Sequence, residues 1–223
     1  MNLLISIPNM ATMLCYVATD AKIEQHLLKS MLVESSETSF NRITVDSDTS
    51  TNDSFMLSAT GLSGLTITEE NRGGFQAALD SLSQELAHSI IRDAEGATKF
   101  IAVKVEGGKC QKDCLDIAYS IANSPLMKTA LFASDANWGR IVMAIGKAGV
   151  SIDINTLDVF LGATQLMLNG QKHPDYLEES GAAEVAGEEI EIRVDLKSGA
   201  YQETVWTSDL SHEYVRINAE YRT

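Results

Sequence analysis

The stretch that decides the fold of this chain runs from Pro8 to Ala21 and reads PNMATMLCYVATDA. Within it the small residue Ala11 precedes Thr12, and the apolar run Met13 to Ala18 predicts a buried strand directly afterwards. A hydroxyl residue that follows a small residue and opens a strand has the arrangement of a self-cleaving threonine site. After cleavage, Thr12 carries both a hydroxyl nucleophile and its own α-amine as base. Most Ala-Thr pairs that enter a strand are only structural, so this interpretation depends on the rest of the chain.

The composition is that of a globular protein and argues against two classes of partner. The 223 residues are 44% hydrophobic and 22% charged, with a formal net charge of −14. This acidity argues against nucleic acid and against an anionic membrane surface as partners. No apolar run reaches the roughly 18–20 residues of a membrane span, and Met1 to Ile7 lacks the features of a signal peptide. Three cysteines, an odd number, fit reduced thiols in a cytoplasm.

The order of predicted elements favours an α+β fold, with mixed or antiparallel sheets packed with helices, over a doubly wound parallel sheet. Strands are predicted at Met13–Ala18, Ile43–Val45, Phe55–Thr60, Phe100–Val105, Leu157–Leu161, Gln165–Leu168, Ile190–Leu196, Tyr201–Thr207 and around Val215, Ile217, Ala219 and Tyr221. Helices are predicted after an N-cap at Thr19-Asp20, from about Glu69 to Asp93, around Cys114–Ala122, and from Trp138 to Lys147. Tyr201–Thr207 is expected to form a hairpin with Ile190–Leu196. Two regions are expected: 1–124 carries the nucleophile, and 125–223 completes the substrate pocket.

Two clusters resemble metal sites, but neither is complete. Asp46-x-Asp48-x-Ser50 begins like a calcium loop, yet Thr51 replaces the glycine and Leu57 the final glutamate, so a polar turn is predicted instead. Cys110 and Cys114 lack a second pair of zinc ligands, and we expect Cys114 in the core and Cys110 at the surface. No metal is therefore predicted.

Two loops have the residue types of a binding site. Glu95 lies between the longest predicted helix and a buried strand, where a carboxylate can bind a substrate ammonium or move a proton. Taken alone, Glu95 is more often a solvated loop residue. Residues 134–140 read SDANWGR, which fits a helix N-cap with Trp138 as packing anchor and, alternatively, part of a pocket wall.

Several separated segments together resemble one family, the ornithine acetyltransferases, bifunctional glutamate N-acetyltransferases of arginine biosynthesis, in their C-terminal β-subunit portion. Their order and spacing cover almost everything from Pro8 to Thr223. The matching segments are PNMATML (8–14), ATDA (18–21), SFNRITVD (39–46), DTSTND (48–53), EGATK (95–99), IANSPL (121–126), NWGR (137–140) and YVRINAEY (214–221).

The resemblance implies an acetyltransferase that works through a covalent intermediate. The family precursor cleaves itself between the residues that match Ala11 and Thr12, and the freed threonine takes acetyl from N-acetylornithine and passes it to glutamate. Acetyl-CoA is an alternative donor, and no cofactor is implied. Thr12, Glu95, Asn218 and Thr223 match substrate-binding positions. The resemblance also implies a separate α-subunit, a heterotetramer, and apolar surface left exposed where that subunit binds.

Three departures from the family pattern bear on activity. The substrate-binding lysine of the family falls on Met1, within the altered segment Met1 to Ile7. The matching segments also leave out the family's N-terminal subunit, which supplies the oxyanion donors. Loss of one such donor costs roughly 100- to 1000-fold in rate. Ser47 and Ala94 stand where the family favours glycine, which suggests a positive φ at each.

Two alternatives to the acetyltransferase remain. The altered N-terminal segment favours a truncated, non-catalytic remnant or association module of the same family. A weaker alternative is an N-terminal-nucleophile amidase or aminopeptidase, which would use water rather than glutamate as acceptor.

Overall fold

The computed structural model describes residues 13–220, and the chain divides into two compact units. The first unit extends to Ile90 and the second begins at Ile91. The boundary expected between residues 124 and 125 falls inside the second unit. Both units combine helices with sheets, which confirms the α+β class. No helix in the described part of the chain is long and apolar enough to cross a membrane.

The first unit contains short parallel strand pairs and two long helices. β1 pairs with β4 in parallel, with Leu14 opposite Ser54, and β2 pairs with β5 in parallel. β1 confirms the strand predicted after Thr12. The helix expected from Thr19-Asp20 begins only at Gln25, because the residues between them form β2. The elements are β1 (Leu14–Thr19), β2 (Lys22–Ile23), α1 (Gln25–Thr38), β3 (Ile43–Thr44), β4 (Ser54–Ala59), β5 (Thr66–Ile67) and most of α2 (Arg72–Arg92).

The core of the first unit lies between α1, α2 and β4. Phe40 and Phe55 are almost fully buried and meet edge to face with ring centroids 5.0 Å apart. Two buried hydroxyls join the helices, since Ser35 Oγ donates a hydrogen bond to Ser83 Oγ over 2.8 Å. Each hydroxyl therefore has a partner in the core.

The second unit is built on one mixed sheet. Its strands run in the order β11, β6, β10, β7, β8, β9, and β10 is parallel to β6 while the other neighbouring pairs are antiparallel. The elements are β6 (Phe100–Gly108), α3 (Gln111–Ala122), α4 (Pro125–Phe132), α5 (Trp138–Gly146), β7 (Asp158–Leu161), β8 (Thr164–Leu168), β9 (Gln171–Lys172), α6 (Glu178–Ala186), β10 (Glu189–Asp195), β11 (Tyr201–Ser208) and α7 (His212–Glu220).

The hairpin expected between β10 and β11 is wrong. β11 pairs with β6, which lies between β10 and β11. The connection crosses the end of β6, where the carbonyl of Gly107 accepts hydrogen bonds from the amide and the hydroxyl of Ser198. Gly107 has φ +71°, and a Cβ there would lie 2.6 Å from the amide nitrogen of Lys197. Only glycine leaves room for this crossing.

The strand expected around Val215 to Tyr221 is also wrong. Residues 212–220 form α7, which contains no buried residue. Because no face of this segment enters the core, the alternation of apolar residues carries no information about strand pairing. Arg216 instead pairs with Glu213 and Glu220 at helical spacing, which stabilises an exposed helix.

Candidate active site

The structure brings together two of the predicted substrate-binding residues, Glu95 and Asn218. The side-chain nitrogen of Asn218 donates hydrogen bonds to Glu95 Oε2 over 2.6 Å and to the carbonyl of Tyr214 over 2.9 Å. Both side chains are exposed. The carboxylate and the amide thus form a polar pair that is accessible to a ligand and held in a defined geometry.

Gly96 explains how the turn that carries Glu95 comes so close to α7. Its φ is +69°, and a Cβ on it would lie 2.6 Å from the amide nitrogen of Tyr214 and 2.8 Å from Ser211 Oγ. Ser211 Oγ also donates a hydrogen bond to the Gly96 carbonyl over 2.6 Å. A glycine is required here both for its backbone conformation and for the close approach.

A buried carboxylate fixes the segment that follows this turn. Asp209 is 3% exposed and accepts hydrogen bonds from the amide of Thr98 at 2.8 Å, its hydroxyl at 2.6 Å, and the amide of Lys99 at 2.9 Å. Asp209 precedes α7, and Thr98 and Lys99 follow Glu95. Asp209 therefore ties together the two segments that carry Glu95 and Asn218.

Lys128 supports the same region from α4. It is 3% exposed, and its ammonium donates hydrogen bonds to Thr207 Oγ1 over 2.7 Å and to the carbonyl of Ser208. These contacts hold the end of β11 just before Asp209. No local sequence pattern marks Lys128 or Asp209, although the segment that precedes Lys128 belongs to the family resemblance.

The charges on α7 are paired with one another. Hydrogen bonds from Arg216 lower the pKa of Glu213, which burial slightly opposes, and the same contacts raise the pKa of Arg216. The remaining contact of Arg216, with Glu220, is 3.3 Å long. The Arg216 guanidinium therefore has carboxylate partners within its own helix.

Three predicted site residues lie outside the described residues. These are Ala11 and Thr12, at the expected cleavage site, and Thr223. Their predicted functions stay predictions. The described chain starts at Met13, whose amide nitrogen donates a hydrogen bond to Asp53 over 2.6 Å.

The other candidates from the sequence are the polar segment 46–52, the two nearby cysteines and the loop 134–140. Their contacts fit the structural interpretation of each. Within residues 46–52, the amide of Asp48 donates to Asp46 Oδ1, as in a polar turn. Cys114 is buried, which raises its pKa, while Cys110 is exposed. Asn137 caps α5 by accepting a hydrogen bond from the amide of Arg140. No group of side chains in residues 13–220 has the arrangement of a metal site.

Sequence comparisons identify the relatives of this chain. The model of the ArgJ family matches residues 5–223. The arginine biosynthesis bifunctional protein ArgJ of Pseudomonas syringae pv. tomato is 52% identical over 221 residues, which is 97% of this chain and 55% of the relative. The protein of the same name from Psychrobacter arcticus is also 52% identical, over 97% of this chain and 54% of the relative. The chain thus spans about half the length of these relatives.

A solved structure shows the same fold. The crystal structure of arginine biosynthesis bifunctional protein ArgJ from Bacillus halodurans superposes with a TM-score of 0.89 at 39% sequence identity. The match covers 94% of this chain and 100% of the solved chain. The whole of the solved chain therefore matches this one.

Proposed function

This chain belongs to the ArgJ family, and on that premise we propose that it transfers an acetyl group from N-acetylornithine to glutamate through an acetyl ester on Thr12. The observation that carries the proposal is the hydrogen bond between Asn218 and Glu95, two predicted substrate-binding residues that are 123 positions apart. Acetyl-CoA is a second donor in this proposal.

The proposed reaction has two acyl-transfer steps. The Thr12 hydroxyl attacks the acetyl carbon of N-acetylornithine, and its proton passes to the Thr12 α-amine. The amide bond then breaks, the proton moves to the departing amine, and ornithine leaves. The amine of glutamate attacks the acetyl ester in turn, which releases N-acetylglutamate and restores the hydroxyl. This sequence has the ping-pong course expected of a covalent intermediate.

Glu95 and Asn218 suit the amino-acid part of these substrates. An exposed carboxylate attracts an ammonium group, and the side-chain oxygen of Asn218 can accept a hydrogen bond from it, because both N–H groups of that side chain already bind Glu95 and Tyr214. Asn218 is already held by the Tyr214 carbonyl, and the Glu95 turn is held by Asp209 and Ser211. This preorganisation reduces the entropy lost when a substrate binds.

We further propose a partner that corresponds to the remaining part of the relatives' length. Leu14 and Tyr16 lie on one face of β1 and are 60% and 67% exposed. Parallel sheets normally have both faces covered, and two strands alone are rarely stable. The match covers 100% of one chain of the solved relative, which favours a separate α-subunit. In this proposal the α-subunit covers β1, within a heterotetramer. The three free cysteines fit the cytoplasm as the compartment.

The decisive experiment combines this chain with the remaining part of the Pseudomonas syringae relative. The two polypeptides are produced together, and transfer of labelled acetyl from N-acetylornithine to glutamate is measured. We expect transfer by the complex, its loss in Thr12→Ala, and partial retention in Thr12→Ser, which keeps a hydroxyl. A cleaved complex without transfer would contradict the proposal. Release of acetate without glutamate, and no transfer to glutamate, would favour the amidase alternative.

A further inference from the structure

The helix that carries Asn218 has little apolar packing to hold it in place. α7 contains no buried residue, whereas most helices in proteins are stabilised by the packing of an apolar face. Its first residue, His212, meets the ring of Phe132 edge to face, with ring centroids 5.7 Å apart. The direction of α7 therefore depends largely on the contacts at its start.

Ser211 makes two contacts at this end of the helix with a single hydroxyl. It is 5% exposed and directly precedes α7, in the N-cap position. Its Oγ accepts a hydrogen bond from the amide of Tyr214 over 3.4 Å, as an N-cap serine does. The same hydroxyl donates its proton to the carbonyl of Gly96 over 2.6 Å. One hydroxyl therefore connects the helix with the turn that carries Glu95.

The distance between Ser211 and Asn218 along α7 makes this connection matter for the polar pair. Asn218 lies about two helical turns after Ser211, which is roughly 10 Å along the helix axis. A tilt of α7 by about 10° at its start would therefore displace Asn218 by roughly 2 Å. The hydrogen bond from Asn218 to Glu95 is 2.6 Å long, and such bonds are lost beyond about 3.5 Å. The pair accordingly requires a fixed direction of α7 relative to the Glu95 turn.

We propose that Ser211 is a positioning residue for the pair of Glu95 and Asn218, and that its hydroxyl fixes the direction of α7 by binding the Gly96 carbonyl. The inference rests on the proposed function, in which this pair binds the substrate. Because Ser211 is buried, we assign it no contact with the substrate. It acts on substrate binding through the pair, and the acyl-transfer steps do not involve it.

The test uses three substitutions of Ser211 and one control in the complex that contains both polypeptides. Ser211→Ala removes both hydrogen bonds, and Ser211→Thr keeps a hydroxyl for both. Ser211→Asp keeps an acceptor for the helix cap, but at neutral pH it has no proton to donate to Gly96. The control Ser198→Ala also removes a hydroxyl that donates to a glycine carbonyl, that of Gly107, at the connection between β10 and β11.

Two kinds of measurement are made on each variant. They are kcat and KM for N-acetylornithine, and the hydrogen exchange of residues 95–99 and 212–220 followed by mass spectrometry. We expect Ser211→Ala and Ser211→Asp to raise KM by roughly 3- to 10-fold with kcat changed less than about twofold, because the lost hydrogen bond supports binding and not chemistry. Exchange of both segments should be faster in Ser211→Ala. Ser211→Thr and Ser198→Ala should match the parent.

A double variant separates positioning from a general loss of stability. The polar pair is absent in Asn218→Ala, so adding Ser211→Ala to it should change KM by less than about twofold. The full 3- to 10-fold increase in KM in that background would overturn the proposal. A KM of Ser211→Asp that equals the parent value would also overturn it, since Ser211 would then only cap α7.

Hydrogen exchange separates this proposal from the proposed function. A complex that transfers no acetyl, with faster exchange of both segments in Ser211→Ala and normal exchange in Ser211→Thr, would overturn the proposed function and support the connection through Ser211. A complex that transfers acetyl, with both KM and exchange unchanged in Ser211→Ala, would overturn the Ser211 proposal alone.

Discussion

The side-chain nitrogen of Asn218 lies 2.6 Å from Glu95 Oε2, although the two residues are 123 positions apart in the sequence. The contact joins α7 to the turn after α2, and both side chains remain exposed. The pair is held by the protein and open to solvent, so a ligand can reach both side chains.

Removing either member of the pair should weaken substrate binding. Glu95→Gln and Asn218→Ala are each expected to raise KM for N-acetylornithine by roughly 10- to 100-fold, as for the loss of a hydrogen bond to a charged group. Because the two side chains contact each other, the double variant should lose less than the sum of the two free energies. Steady-state kinetics measure this, with the exposed Glu179→Gln as control. Unchanged KM values would contradict the assignment.

Asp209 should stabilise the turn that carries Glu95. Asp209→Ala leaves the amides of Thr98 and Lys99 without their acceptor, and we expect a loss of roughly 2–4 kcal/mol in the free energy of unfolding. Asp209→Asn keeps one acceptor oxygen and should cost less. Urea denaturation of the two variants measures the difference. Equal stability of Asp209→Ala and the parent would contradict this prediction.

Ser47 should be a site where glycine stabilises the protein. Its φ is +75°, which confirms the sequence-based expectation at this position, whereas Ala94 does not have a positive φ and that expectation is wrong. We therefore expect Ser47→Gly to raise the free energy of unfolding by about 0.5–1 kcal/mol and Ala94→Gly to lower it by a similar amount. The two substitutions introduce the same residue and control for each other in one denaturation series. A change of the same sign in both would contradict the assignment.

The amino-acid sequence predicted elements well wherever packing decides them. Ile101, Val103 and Val105 alternate because β6 buries one face, and the structure buries all three. Asn169-Gly170 has positive φ at both residues, in a two-residue turn between β8 and β9. In contrast, α4 was not predicted, because Pro125 resembles an interruption when it is in fact the first residue of that helix.

The candidate site was only partly predictable from the sequence, because some of its residues act through partners that are distant in the chain. The position of Glu95 in a loop between a predicted helix and a predicted strand marked it as a candidate, and the family resemblance supported it, whereas Asn218 was found through the resemblance alone. Asp209 and Lys128 act through contacts with residues that are far away in the chain, such as Thr98 and Thr207. Such partners depend on sheet order, and the order expected at β10 and β11 was wrong.

A cluster of charges on the sheet should make stability depend on pH. Burial tends to raise the pKa of Glu106, but hydrogen bonds from Lys104 and Arg193 outweigh it and lower the pKa. A carboxylate with a lower pKa in the folded state stabilises the fold above the usual carboxyl range. This contribution is lost as the pH falls through the lowered pKa.

Glu106→Gln should therefore lower the free energy of unfolding at neutral pH by roughly 0.5–1 kcal/mol. The difference from the parent should disappear at acidic pH, where the parent carboxylate is protonated. Denaturation across a pH series measures this, with the exposed Glu191→Gln as the control on the neighbouring strand. A difference that stays constant down to acidic pH would exclude the carboxylate charge as its cause.

The most direct test of the central claim is the intact mass of this chain after incubation of the two-polypeptide complex with N-acetylornithine but without glutamate. We predict a chain that starts at Thr12 and carries one acetyl group on that residue, which disappears when glutamate is added. A cleaved chain that never gains the acetyl group, under conditions in which N-acetylornithine is consumed, would contradict the acetyl-threonine intermediate.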